Sequence, residues 1–290
     1  MGTKIKLHNK IIGEGGNVYI IAEAGVTHFG DLTLAKKQID VAISAGCDAV
    51  KFQKRDVASI NDEYWRKRLE YKELSEDAIL ELRDYSSRKD IDFFVTPHDI
   101  KSLDFVNAVL DTPFIKVGSG ESLDVDFLHR VGSCKKPVIV SFGLHLSKDE
   151  IKKSVRAIEK GGTKQIILLH CNTIYPTQPH LVNLGAINEI KQLFPNYVVG
   201  YSDHTLGWHI PLAAVTLGAS VIEKHISFDK NDNRSLDCSV SCEPEELKLM
   251  VHEIRDIEKA IKQIDEAERN KEIMKARGWV GKMTNKKLKS

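Results

Sequence analysis

The chain has 290 residues, 42% of them hydrophobic and 29% charged, with a formal net charge of +1. That length suits one α/β barrel or two small domains, and the near-zero charge excludes a general pull toward nucleic acid or a membrane surface. No apolar run reaches the roughly 18 residues of a membrane span, the N-terminus lacks a signal-peptide core, and five cysteines, an odd number, point to free thiols in a reducing, cytoplasmic setting.

Residues 1–16 read as a small hairpin that caps a barrel. Short apolar runs then recur at 18–22, 49–52, 93–95, 114–117, 138–140, 166–169, 198–201 and 220–222. Continuous runs of this kind mark parallel strands buried on both faces. Helical periods lie between them. Asp31 reads as the N-cap and Gly46 as the stop of a helix carrying Leu34, Ala35, Ile39, Ala42 and Ile43. Ser147-Lys-Asp-Glu150 reads as a capping box, with Gly161-Gly162 ending its helix. Pro244 opens a helix with Leu247, Met250, Val251, Ile254, Ile257 and Ile261.

Eight strand–helix units predict an α/β fold, a (β/α)8 TIM barrel over 17–268, followed by a basic tail over 269–290. Lys282, Lys286, Lys287 and Lys289 make that tail basic and solvated. A doubly wound sheet would need a glycine-rich loop after its first strand, and Gly13-Glu-Gly-Gly16 precedes it instead. Cys238 and Cys242 are a weak zinc signal, because no second pair accompanies them.

Barrel chemistry sits at the carboxyl ends of the strands. There the chain places Glu23, Lys51 with Gln53, Thr96, Lys116 with Ser119 and Glu121, Ser141, Tyr175, Ser202 with His204, and His225. Lys51, Thr96, Lys116, Ser119, Ser141 and Ser202 are cation and hydroxyl donors suited to a phosphate or carboxylate ligand. Glu23 and Glu121 are acid–base candidates. His204 and His225 can carry a divalent metal, with water or a carboxylate completing the shell. The bland reading is a set of solvated lysines and hydrogen-bonded histidines, among them His28, His98, His170 and His209. Polar groups at eight strand ends in a row weigh against accident.

The stretches Ile21-Ala-Glu-Ala-Gly25, Asp48-Ala-Val-Lys-Phe-Gln-Lys-Arg55, Phe114-Ile-Lys-Val-Gly-Ser-Gly-Glu121, Leu169-His-Cys-Asn-Thr-Ile-Tyr-Pro176, Gly200-Tyr-Ser-Asp-His-Thr205, Glu223-Lys-His225 and Ser241-Cys-Glu-Pro-Glu-Glu-Leu247 follow one another in order. Together they resemble the sialic acid (N-acetylneuraminate) synthases and related nonulosonic acid synthases. The resemblance implies condensation of phosphoenolpyruvate with an open-chain aldose or N-acyl amino sugar, with release of phosphate. It implies that His204 and His225 hold a divalent metal, Mn2+ or Mg2+. It places phosphoenolpyruvate on Lys51, Thr96, Lys116, Ser119, Ser141 and Ser202, and the sugar beside Gln53, Glu121, Tyr175 and Asp237. Glu23 falls near the metal and its water. Another metal-dependent barrel reaction on sugars, an isomerase or aldolase, and a non-catalytic sugar-binding relative are the competing readings.

The chain departs from the family pattern in four places. The C-terminal antifreeze-like domain, which lends an arginine to a partner's sugar site, has no counterpart before Ser290. A catalytic barrel alone is therefore expected, with a barrel-to-barrel homodimer as its candidate assembly. The loop Asp232-Asn-Arg-Ser-Leu-Asp237 replaces a Pro-Gly-Pro-Asp loop, which makes Asp237 the stand-in for the sugar-binding aspartate and Arg234 a candidate for the missing arginine. Thr173 and Thr27 stand where the family commonly has asparagine. The departures gather at the sugar end, so the expectation is retained chemistry with an altered acceptor.

Overall fold

A computed structural model describes residues 3–7, 10–262 and 265–284. Strands β1 (Lys4–Leu7) and β2 (Lys10–Gly13) form an antiparallel hairpin. The other eight are β3 (Tyr19–Gly25), β4 (Ala49–Lys54), β5 (Asp92–Pro97), β6 (Ile115–Val117), β7 (Val138–Phe142), β8 (Ile166–Cys171), β9 (Val198–Asp203) and β10 (Val221–His225). They pair in the order β5-β4-β3-β10-β9-β8-β7-β6, and every pairing is parallel. β5 and β6 pack side by side, so the sheet nearly closes on itself with helices between the strands, a TIM-barrel architecture.

Side chains alternate along a strand, and this sorts the residues into two cores. Ile20, Ala22, Val50, Phe52, Val95 and Val140 face outward into the layer between sheet and helices. Tyr19, Ile21, Phe94, Phe114, Ile139, Ile167, Leu169, Val198 and Val221 fill the barrel interior. The hairpin joins this inner core through Ile5, Leu7 and Ile12, beside the first residues of the strands. It therefore plugs the end of the barrel opposite the carboxyl termini. Two steps further along each strand the inward positions turn polar: Ile21 leads to Glu23, Phe114 to Lys116, Ile139 to Ser141, and Val221 to Glu223 and His225. One alternation thus supplies an apolar floor and the chemistry above it.

Asp31 caps the helix Leu32–Ala45 by accepting from the amides of Thr33 and Leu34, and Gly46 ends it at φ 82°. Ser147 caps the amide of Glu150, but the Glu150 carboxylate takes the amide of Leu146 and not that of Ser147. The predicted box is therefore half formed, because the chain enters that helix with Leu146 turned outward. Pro244–Ile261 carries a complete box between Glu243 and Glu246 and buries Leu247, Met250, Val251 and Ile254. Its Arg255 donates to the Val18 carbonyl at 2.8 Å and to Asp48 at 2.9 Å, tying the last barrel helix to the first strands.

Overlapping the stretch read as a basic tail, Glu266–Thr284 is a helix with no buried residue. Its Glu, Ala, Lys and Met content favours helix without a packed face. Lys282 lies on it; Lys286, Lys287 and Lys289 lie outside the described residues. No helix among the described residues is long and apolar enough to cross a membrane.

Candidate active site

The inward polar positions open into a cavity of about 250 Å³. All thirteen residues singled out from the sequence line it: Glu23, Lys51, Gln53, Thr96, Lys116, Ser119, Glu121, Ser141, Tyr175, Ser202, His204, His225 and Asp237.

Two lysines dominate its floor. Lys51 Nζ lies 2.6 Å from Glu23 and donates to Thr96 Oγ1 at 3.0 Å. Lys116 Nζ donates to Ser141 Oγ at 2.9 Å and to the Val117 carbonyl at 3.0 Å. Glu223 stands 3.7 Å from each ammonium and accepts from Ser202 at 3.0 Å. Burial pushes the Glu23 carboxyl up to about 7, Lys51 opposing this and Glu223 reinforcing it. Burial acts on Glu223 in the same sense, but Lys116 and Lys51 overcome it and hold that carboxyl down at about 2. One carboxyl of the cluster is thus poised near neutrality while its neighbour stays ionised.

A second chain of contacts runs toward the mouth. Gln53 donates to Glu23 at 2.7 Å and turns its carbonyl oxygen to His98 Nε2 at 3.2 Å. His98 Nδ1 meets Glu121 at 2.9 Å, and Arg55 stands 3.6 Å from the same carboxylate. His98 and Arg55 hold the Glu121 carboxyl below its usual range although burial acts the other way. Glu121 is therefore the weaker candidate for moving a proton near pH 7.

His204 and His225 follow inward positions of β9 and β10, with ring centres 5.3 Å apart. The Asn172 carbonyl lies 2.6 Å from His204 Nδ1 and orients that ring, leaving Nε2 facing the Tyr175 hydroxyl at 3.0 Å. Burial, helped by His204 and Lys51, drives His225 well below the usual imidazole range, so it is neutral, as a metal ligand must be. Burial acts on His204 too, but the Cys171 thiol 3.6 Å away and the Asn172 carbonyl outweigh it and favour its proton, which a bound cation would displace. No cluster of three or more His, Cys, Asp or Glu forms a ready-made cage among the described residues. Buried atoms without a hydrogen-bond partner remain at His225 Nδ1, Glu121 Oε2, Glu223 Oε2 and Thr173 Oγ1. Such orphans around one cavity call for a ligand. Two imidazoles with room for water and a substrate oxygen fit a divalent cation.

A family model described as the NeuB family matches residues 38–266. The chain belongs to the NeuB family. It is 41% identical over 261 residues to an uncharacterized protein of Methanocaldococcus jannaschii, covering 89% of this chain and 76% of that one. It is 40% identical over 260 residues to the N,N'-diacetyllegionaminic acid synthase of Campylobacter jejuni, covering 83% and 77%. A solved structure of the N-acetylneuraminic acid (sialic acid) synthetase of Leptospira borgpetersenii, in complex with citrate, superposes with a TM-score of 0.86 at 34% identity, covering 94% of this chain and 96% of that one.

Five further side chains of this NeuB family member line the cavity beside the thirteen: Arg55, His98, Cys171, Thr173 and Glu223. His98 is not one of the bland histidines, for it bridges Gln53 and Glu121. His28 is of that kind: its ring meets the Gly25 carbonyl and the Gly30 amide. His170 meets the Val182 carbonyl. Arg234 does not enter the cavity; it is exposed, bound to Asp232 and stacked on Phe29 at 3.7 Å. The short link between residues 232 and 234 favours that local pair over a reach inward. Thr27 also stays outside, bonded to the Ala24 and Ile226 carbonyls, whereas Thr173 lines the cavity. Lys224 pairs with Asp203 at 2.6 Å, and neither lines the cavity. Alternation puts both on the outer face of the sheet.

Proposed function

We propose that the chain condenses phosphoenolpyruvate with an open-chain sugar aldehyde, an aldose or N-acyl amino sugar, forming a nonulosonic or related 3-deoxy-ulosonic acid and releasing phosphate. The observation that carries this is the convergence of two buried lysines and four hydroxyls in the cavity that also holds the histidine pair. The synthases among its relatives support the same reading. An isomerase or aldolase acting on a sugar without phosphate would have no use for so many anion-directed donors.

In this reading Lys51 and Lys116, with Thr96, Ser119, Ser141 and Ser202, hold the phosphate and carboxylate of phosphoenolpyruvate at the buried base of the cavity, where charge-assisted bonds are strong. They fix C3 of the enol toward the aldehyde carbon; the C2=C3 π pair forms the new carbon–carbon bond, the aldehyde C=O π bond breaks to give an oxyanion that takes up a proton as the hydroxyl, and C2 is left cationic. Gln53, Glu121, Tyr175 and Asp237 orient the sugar hydroxyls. Water adds to the resulting cationic C2 and gives up a proton to Glu23, the carboxyl poised near neutrality. The C2–O bond to phosphate then breaks as the C2 hydroxyl loses its proton to the departing phosphate and becomes the ketone, and phosphate leaves into the lysine and hydroxyl cluster that held it. A Mn2+ or Mg2+ ion on His204 and His225, when bound, supplies an electrophile for the aldehyde oxygen.

Incubation with phosphoenolpyruvate, Mn2+ and a panel of amino sugars and plain aldoses tests this. Aldehyde-dependent phosphate release, with a product mass equal to sugar plus pyruvate, is expected. No release across a broad panel overturns it. The reading includes a cytoplasmic setting, supported by five free cysteines, and a homodimer, which sedimentation velocity checks.

A further inference from the structure

The loop that follows β8 wraps one imidazole of the histidine pair. Its Asn172 carbonyl meets His204 Nδ1 at 2.6 Å, and its Tyr175 hydroxyl meets Nε2 at 3.0 Å. The Tyr175 ring also packs against the imidazole, with centres 4.2 Å apart. His204 is thus held at both nitrogens and on one face. His225 is held less closely, for its Nδ1 is buried without a hydrogen-bond partner. The protein therefore orients one ring of the pair through a loop, and that loop must itself be fixed.

Thr177 fixes it. The residue is 2% exposed and does not line the cavity, so it acts only through its neighbours. Its amide donates to the His204 main-chain carbonyl at 2.8 Å. Its hydroxyl donates to the Ile174 carbonyl at 2.8 Å and lies 3.4 Å from the Asn172 carbonyl, the oxygen that also meets His204 Nδ1. A threonine in a turn often bonds a nearby carbonyl for local reasons alone. Here the same residue grips the main chain of His204 directly and its ring through Asn172. The Ile174 bond closes the turn from which Tyr175 rises. From the other side Asn172 Nδ2 donates to the Leu181 carbonyl at 3.0 Å, so the loop is pinned at both flanks.

We propose that Thr177 is a positioning residue for the metal site: its hydroxyl locks the loop so that His204 presents Nε2 to a divalent cation. The proposal rests on the reading of His204 and His225 as metal ligands. Groups that orient a ligating imidazole are worth about 10- to 100-fold in metal affinity or activity. Lys51 and Lys116 stand on β4 and β6 and bond to Glu23, Thr96, Ser141 and the Val117 carbonyl, so the anion site keeps its contacts when Thr177 changes.

The test compares Thr177→Val, which keeps the shape and loses the hydroxyl, with Thr177→Ser, which keeps the hydroxyl. Thermal melts confirm that each folds, and Thr177→Ala serves if the valine variant does not. Calorimetric titration of the metal-free protein with Mn2+ should show affinity about tenfold or more weaker in Thr177→Val and restored in Thr177→Ser. Phosphoenolpyruvate affinity should be unchanged in both, and excess Mn2+ should recover much of the rate that Thr177→Val loses. Wild-type Mn2+ affinity in a folded Thr177→Val, or a serine variant as weak as the valine one, overturns the proposal. A parallel fall in phosphoenolpyruvate affinity also overturns it, because the hydroxyl would then support the whole site. If wild type binds phosphoenolpyruvate but takes up no divalent metal, the metal reading falls and this role with it, while the anion site stands.

Discussion

Lys51 Nζ and Glu23 Oε2 meet at 2.6 Å with side chains 3% and 2% exposed. An ion pair so enclosed gains its worth by being ready for a ligand, since burying it costs desolvation. Phosphoenolpyruvate brings negative charge to Lys51 and Lys116 at the cost of no new burial. Lys51→Met is expected to weaken phosphoenolpyruvate binding by roughly 10- to 100-fold, the scale of a lost charge-assisted bond. Isothermal titration measures it. Unchanged affinity in a folded variant would remove Lys51 from the anion site.

The same pair makes activity and stability depend on pH in opposite senses. A water-derived proton must go to ionised Glu23, so kcat/KM should rise as pH passes about 7. Glu23→Gln should flatten that rise and cut the rate by about 10²- to 10⁴-fold. For stability, the folded carboxyl near 7 exceeds the ordinary 4.5, so the folded chain keeps a proton the unfolded chain has lost. That contribution is full below 4.5 and is lost as pH rises through about 7. Glu23→Gln should therefore be more stable than wild type at pH 8, with the gap closing toward pH 4.5. Urea titrations across that range check it, and a gap that widens toward acid would refute the assignment.

Much of this site was legible because a parallel barrel turns sequence position into spatial position. A polar residue two steps beyond an inward apolar one must stand at the mouth, so Glu23, Lys51 and Lys116 could be placed from strand runs alone. What escaped did so for physical reasons. His98 follows Pro97 just past its strand, where alternation no longer dictates direction. Glu223 was visible as a polar strand end, but its role depends on two lysines brought from β4 and β6. The helix Glu266–Thr284 was missed because its apolar residues, Ile273, Met274, Trp279 and Met283 among them, bury no face.

Metal dependence can be tested apart from the pH behaviour. Exhaustive chelation should abolish aldehyde-dependent phosphate release, and added Mn2+ or Mg2+ should restore it. His225→Ala should lose the metal retained by wild type in elemental analysis, because His204 alone leaves too few protein donors. Activity that survives thorough metal removal would sink the histidine pair as a metal site.

Behind the histidines, Lys224 and Asp203 form a wholly buried pair at 2.6 Å, one residue from His225 and His204 respectively. Lys224 also donates to the Thr205 carbonyl at 2.8 Å, and Asp203 accepts from Tyr201 at 2.8 Å and from Thr205 at 2.9 Å. The pair thus clamps β9 to β10 at the level where the two imidazoles emerge. Lys224→Met strands a buried carboxylate and should cost about 3–5 kcal/mol in urea denaturation. Adding Asp203→Asn removes that charge but keeps an acceptor for Tyr201 and Thr205, so the double variant should regain most of the loss. A single variant within about 1 kcal/mol of wild type would show that the clamp contributes little. A double variant no better than the single would show that the cost comes from the lost lysine packing rather than the orphaned charge.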